Sequence, residues 1–229
     1  AAILLLFLFA FGISMIAGID IDPACEYPFV QNNGAFFIEE DIRRVSAEDL
    51  AKLYPEGSIR LLAGCAPCQP FSPFRRGSDN SDDAKWGLLR DFTRLVKELL
   101  PELVTMENVP GLASQSVFAE FLNTLDKLGY NTDWGSVYCP RFGITQHRRR
   151  LVLLASLIGP VTVPKGNLTE EWFKTVRDAI ASLPAVKAGS VHSVDVLHRA
   201  RAVTKTNLRR LKASRPGGRL RRREICLYA

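Results

Sequence analysis

The feature that most constrains this chain is a repeated change of period. Short apolar runs, "MIAGIDID", "IRLLAG", "LVTMENV" and "RLVLLAS", are separated by stretches whose apolar residues recur at helical spacing. Unbroken apolar strands are covered on both faces, and strands alternating with helices specify a parallel α/β sheet. "SAEDLAKLY" predicts a short helix with Ser46 as N-cap and acids in its first turn. "WGLLRDFTRLVKELL" predicts a helix ending before Pro101, and "SVFAEFLNTLDKLG" one ending at Gly129. "LTEEWFKTVRDAIASLP" predicts another, with Thr169 as N-cap and Pro184 beyond its end. After Pro184 the pattern loosens, which places a domain boundary there: residues 1–185 as a main domain and 186–229 as a second region.

The opening "AAILLLFLFAFGISMIAGID" carries no charge before Asp20, and about 20 apolar residues can span a bilayer. A secretory signal would carry a basic residue ahead of the apolar run, and none is present. The five cysteines are odd in number and lack the spacing of a disulfide framework, which fits a reducing compartment. Hydrophobic residues at 47% and charged residues at 24% are globular values. A soluble, cytoplasmic, monomeric protein is therefore expected, with the opening run as buried strand and no membrane contact.

Charge is unevenly placed. Between Arg199 and Arg223 lie eleven Lys or Arg residues and no acid, leaving 19 basic against 24 acidic residues elsewhere. A basic segment on an otherwise acidic protein fits either a polyanionic partner or a solvated tail.

Chemistry-bearing residues gather where the predicted strands end, the edge at which open α/β sheets bind ligands. Asp20 and Asp22 follow the first run, "GCAPCQPFS" follows the second and "MENVPG" ends the third. Cys65 and Cys68 form a C-x-x-C pair, but zinc needs four ligands and no second pair or His cluster supplies them. Pro70 and Pro73 oppose the helix that a thioredoxin-like redox pair would require. A thiol in such a loop is placed for contact. A carboxylate such as Glu107, partly withdrawn from water, can hold and donate a proton, although a helix- or turn-capping role also accounts for a lone acid. Gln146, Arg148 and Arg150 alternate ahead of "RLVLLAS", so they share one face and suit an anion or a solvated strand entry.

In this order, "GCAPCQPFS", "MENVPGL" and "FGITQHRRRLVLLAS" resemble the catalytic loop, glutamate motif and arginine motif of the cytosine-C5 DNA methyltransferase family, bacterial and phage restriction–modification type. "GIDIDPAC" and "EEDIRRV" resemble the acidic turns after that family's second and third strands. "TVRDAIASLP" and "LHRARAVTKTNLRRLKASRPGG" are similar to segments around the start of its target-recognition region. The resemblance runs from Ala17 to Gly218.

It implies an S-adenosylmethionine-dependent methyltransferase with a Rossmann-like sheet, helices on both faces and the remnant of a small target-recognition domain. Cys68 would be the nucleophile at C6 of a flipped cytosine in double-stranded DNA, with Gln69 beside it. Glu107 would hold N3 and the exocyclic amine, Asn108 would support its loop, Arg148 would steady the base and Arg150 would brace Glu107. For S-adenosylmethionine, Asp20 would bind the ribose hydroxyls, Ile21 would pack on the adenine and Asp41, beside Ile42, would take its amine. Pro67 and Leu89 would line the same pocket. Phe9 and Gly12 match the family's glycine loop, but the residues between Gly12 and Asp20 leave no room for the usual helix. Two alternatives remain open: the family's tRNA-directed branch and a non-catalytic DNA-binding relic.

Overall fold

In a computed structural model of the chain, residues 13–65 and 82–214 are described. The first strand, β1 (Ala17–Asp20), pairs in parallel with β2 (Phe36–Glu39) to form a two-stranded sheet. Between them runs α1 (Glu26–Asn33), with Pro28 in its first turn, where a missing N–H costs nothing. Gly18 faces α1 so closely that a Cβ there would lie 2.5 Å from the Phe29 ring. Ile19 points the other way, into a cluster with Leu50, Leu95 and Leu99. Helices thus cover both faces of this sheet.

The second sheet has the order β3-β4-β6-β5, with β3 (Leu61–Gly64), β4 (Leu103–Asn108), β5 (Asn131–Tyr138) and β6 (Arg149–Ser156). Between β2 and β3 lies α2 (Ala47–Leu53), and Ser46 caps it as expected by accepting the Asp49 amide at 3.0 Å. The long α3 (Asp82–Leu99) leads into β4, and α4 (Ser116–Lys127) follows it. Both pack on one face of the sheet. Leu89, Phe92 and Val96 meet Val104, Met106, Phe118, Phe121, Leu151 and Leu153 there, all nearly solvent-free. Removing this much apolar surface from water is the main stabilising term of the fold.

Both helix ends follow the sequence signals. After α3, Leu100 turns into the left-handed region (φ 46°) ahead of Pro101, and Gly129 (φ 83°) ends α4. Arg60 clamps the first of these ends, donating to the carbonyls of Leu99 (3.1 Å) and Leu100 (2.8 Å). Its guanidinium also grips Glu102 at 2.9 and 3.1 Å.

Two expectations are corrected. The sheet is mixed, because β6 runs antiparallel to both β4 and β5. The stretch from Thr169 to Leu183 is also not one helix: it forms a 3-10 turn (Glu170–Trp172) and a short α5 (Val176–Ile180). Phe173 is extended between them, with its ring 5.8 Å from that of Tyr138, and this packing draws the chain out of helix. The architecture is a mixed α/β Rossmann-like sheet with flanking helices.

The chain divides into two compact units between Thr175 and Val176. The second contains α5, an isolated bridge between Val191 and Arg199, and α6 (Lys205–Ala213). Thr204 caps α6, which presents Lys205, Arg209, Arg210 and Lys212 to solvent. Among the described residues, no helix is long and apolar enough to cross a membrane.

Candidate active site

The antiparallel course of β6 builds the site. β3 and β4 run in parallel and deliver their carboxyl ends to one edge, with Cys65 just past β3 and Glu107 near the end of β4. Had β6 run with them, Arg150 would have started at the far edge. Running against β4, it pairs Val152 with Glu107 and Leu151 with Asn108, which brings Arg150 to the edge that holds Glu107.

Side-chain alternation then sorts the faces. Gly64 pairs with Met106 on the helix-covered face, where a Cβ would meet the Phe92 ring at 2.5 Å. Cys65 and Glu107, each one residue further along, turn to the opposite face. Arg150 shares that face, two residues from Val152 on β6. There the Nε of Arg150 forms an ion pair with Oε1 of Glu107, and the Cys65 thiol donates to Oε2 at 3.1 Å. Both partners of the ion pair keep only 20% of their side-chain surface exposed. Partial withdrawal from water strengthens such a pair relative to a surface one.

Asn108 lies on the buried face, at 4% exposure, and its Oδ1 accepts the Val109 amide at 2.8 Å. It therefore shapes the turn that leaves β4 and does not project beside Glu107. Arg148 and Gln146 are exposed just ahead of β6. Arg149, which sequence reasoning passed over, stacks its guanidinium 4.5 Å from the Tyr138 ring centre. That contact lies in a groove of about 660 Å³ along β5, also lined by Arg141, Lys165 and Phe173.

At the carboxyl end of β1, Asp20 accepts the Asp22 amide at 3.0 Å, which orients its carboxylate at the strand's end. Asp22 in turn accepts the Ala24 amide and caps the turn Pro23–Cys25. Burial and the charges of Asp20 and Asp22 push the Cys25 thiol up. Ile21 stands 64% exposed between the two acids. A carboxylate and an uncovered apolar side chain at this edge fit the ribose and adenine of S-adenosylmethionine.

Asp41 is differently placed. Its carboxylate is gripped by the Arg43 side chain and backbone amide, hydrogen bonds that hold it down to about 2, so an adenine amine would compete with Arg43. Ile42 packs against the Val45–Leu99 cluster, and its carbonyl accepts from Arg94 at 3.1 Å. Leu89, expected to line the cofactor pocket, is 2% exposed and packs among the α3–α4 side chains, because it faces the sheet on the buried stripe of α3. Cys68, Gln69, Pro67, Phe9 and Gly12 lie outside the described residues. Among the described residues, no cluster of three or more His, Cys, Asp or Glu could hold a metal.

The model of the C-5 cytosine-specific DNA methylase family matches residues 1–218. The type II methylase M.HgiDII of Herpetosiphon aurantiacus is 41% identical over 210 residues, covering 90% of this chain and 59% of that protein. A putative DNA modification methyltransferase encoded within an E. coli prophage superimposes with a TM-score of 0.62 at 22% identity, over 79% of this chain and 52% of that one. Dnmt2 of S. pombe gives 0.57 at 23% identity, over 69% and 48%. These two structures share the fold. The chain spans about half the length of the curated relatives it matches. Its motifs, its fold and the match over nearly its whole length place the chain in the C-5 cytosine-specific DNA methylase family.

Proposed function

We propose that this protein methylates C5 of cytosine in double-stranded DNA, through a covalent bond between Cys68 and C6 of the base. The observation that carries the proposal is Glu107, fixed at the strand edge by Arg150 and by Cys65, which lies three residues ahead of Cys68 in the sequence. Bound S-adenosylmethionine supplies an electrophilic methyl group, and Asp20 and Ile21 are the residues suited to hold its ribose and adenine.

A cytosine is swung out of the duplex, since C6 is unreachable within the stack. The Cys68 thiolate adds to C6, and a proton that the Glu107 carboxylate has taken up from solvent passes to N3, so charge does not accumulate on the ring. C5 is thereby made nucleophilic. After C5 is methylated, loss of its proton to solvent and expulsion of the Cys68 thiolate restore the aromatic ring, and N3 gives its proton back to Glu107. Arg148 is assigned to steadying the base and Gln69 to the catalytic loop, with Asn108 shaping the turn beyond Glu107. Residues 1–185 serve as the catalytic domain in this account, and residues 186–229 begin target recognition and return in part to the catalytic domain. The exposed cations of α6 suit contact with a phosphate backbone.

The test is covalent capture on duplex DNA carrying 5-fluorocytosine, whose C5–F bond blocks elimination. With S-adenosylmethionine present, the full-length protein should form a denaturation-resistant complex that Cys68→Ser cannot form. A protein that binds the duplex yet never traps would sink the covalent mechanism. Methyl transfer to tRNA alone, in a parallel assay, would overturn the choice of DNA.

A further inference from the structure

We propose that Cys65 is a positioning residue for this reaction: its thiol sets the orientation in which the Glu107 carboxylate meets the target base. The inference rests on the cytosine-methylation reading above.

Three observations converge on it. The contact between Gly64 and Phe92 leaves no room for a side chain on the helix-covered face, so the next residue must turn to the face of Glu107. There the Cys65 thiol donates to Oε2 at 3.1 Å. Arg150 holds the other oxygen, Oε1, from β6. Each carboxylate oxygen therefore has its own donor, one just past β3 and the other on β6 of the same sheet. A carboxylate held at both oxygens cannot rotate about its terminal torsion, which is otherwise broad.

The division of labour follows from the donors' chemistry. Arg150 is a permanent cation and supplies charge, whereas a thiol is a weak, neutral donor that adds direction with little field. When the N3–H bond forms as the Glu107 O–H bond breaks, the electron pair stays on the carboxylate. Both donors are then in place to stabilise it. The thiol keeps its own proton throughout.

The experiment compares Cys65→Ala and Cys65→Ser with wild-type full-length protein, measuring methyl transfer to duplex DNA under saturating S-adenosylmethionine. Losing one modest hydrogen bond to the reacting carboxylate should lower kcat about five- to tenfold, with KM for DNA and the unfolding midpoint unchanged. Serine keeps an O–H donor and should restore kcat to within about twofold of wild type. In a Glu107→Gln background, Cys65→Ala should cost nothing further, since the group it orients is gone. Wild-type kcat in the alanine variant, a serine variant no better than alanine, or an equal loss in the Glu107→Gln background overturns the proposal. If the wild-type protein itself transfers no methyl group to DNA, the function falls and this role falls with it. A failure confined to the variants overturns the Cys65 role alone.

Discussion

Gly64→Ala tests how the sheet aims the site. The added Cβ would lie 2.5, 2.7 and 2.9 Å from three atoms of the Phe92 ring, distances that real Cβ contacts do not adopt. The ring has little space to retreat, being 4% exposed and packed edge-on against Phe121 at 5.8 Å. Overpacking of this kind costs about 1–3 kcal/mol, and the rigid neighbour argues for about 2. In a chain of this size that corresponds to a fall of roughly 5 °C in the unfolding midpoint. Phe92→Leu removes the clashing atoms at its own cavity cost of about 1–2 kcal/mol. The double variant should therefore be more stable than the sum of the single effects by about 1–2 kcal/mol. Urea unfolding of all four proteins, compared at constant m, measures the coupling. Additive effects, or a Gly64→Ala variant as stable as wild type, would refute the claim that Phe92 forbids a side chain at this position. The argument for the orientation of Cys65 would fall with it.

Two further predictions concern the far end of the same strands. The Arg60 guanidinium beside Glu102 holds that carboxyl down to about 2, below its ordinary 4.5, and the two side chains are 27% and 29% exposed. Because the folded value is depressed, the stabilisation is full above about pH 4.5 and lost as pH falls toward 2. Arg60→Met should cost about 2–3 kcal/mol at pH 7 and about 1 near pH 2, where only the helix-end carbonyls still lose a donor; a pH-independent loss, read by urea unfolding, would contradict this. Tyr130 is 6% exposed, donates to the Pro101 carbonyl at 2.6 Å and has its hydroxyl pushed up to about 12 by burial. Tyr130→Phe should destabilise by about 1–2 kcal/mol with the fold intact, and a neutral substitution in thermal unfolding would show that the bond contributes nothing.

What the sequence disclosed, and what it hid, divides along a physical line. Elements with a strong period and local punctuation were legible: α2 from Ser46, α3 up to Pro101, α4 up to Gly129, and the apolar strands β1, β3, β4 and β6. β5 was not, because Asn131–Tyr138 is an edge strand with Gly135 at its centre and no apolar run. α1 escaped because its residues form no apolar stripe and Pro28 reads as a breaker. The orientation of Leu89 was hidden because a motif match names a residue without saying which way its helix faces; the structure buries it to 2% exposure.

The direction of β6 matters most for the site. An apolar run looks the same whether it runs up or down a sheet, since strand periodicity carries no polarity. The resemblance implied that Arg150 braces Glu107, and the pairing that lets it do so depends wholly on that direction. If β6 ran parallel to β4, the residues preceding it would stand at the amino edge, a strand's length from Glu107. Because it runs antiparallel, the start of β6 arrives at the edge that holds the carboxylate, and Arg150 meets it through the sheet's own register. The same register carries the Cys65 contact, through the pairing of Gly64 with Met106. A one-residue slip between β3 and β4 would turn Glu107 into the helix-covered core and leave Cys65 facing a methionine. The carboxylate is thus aimed jointly by strand direction, pairing register and one obligatory glycine, and a motif records only their product.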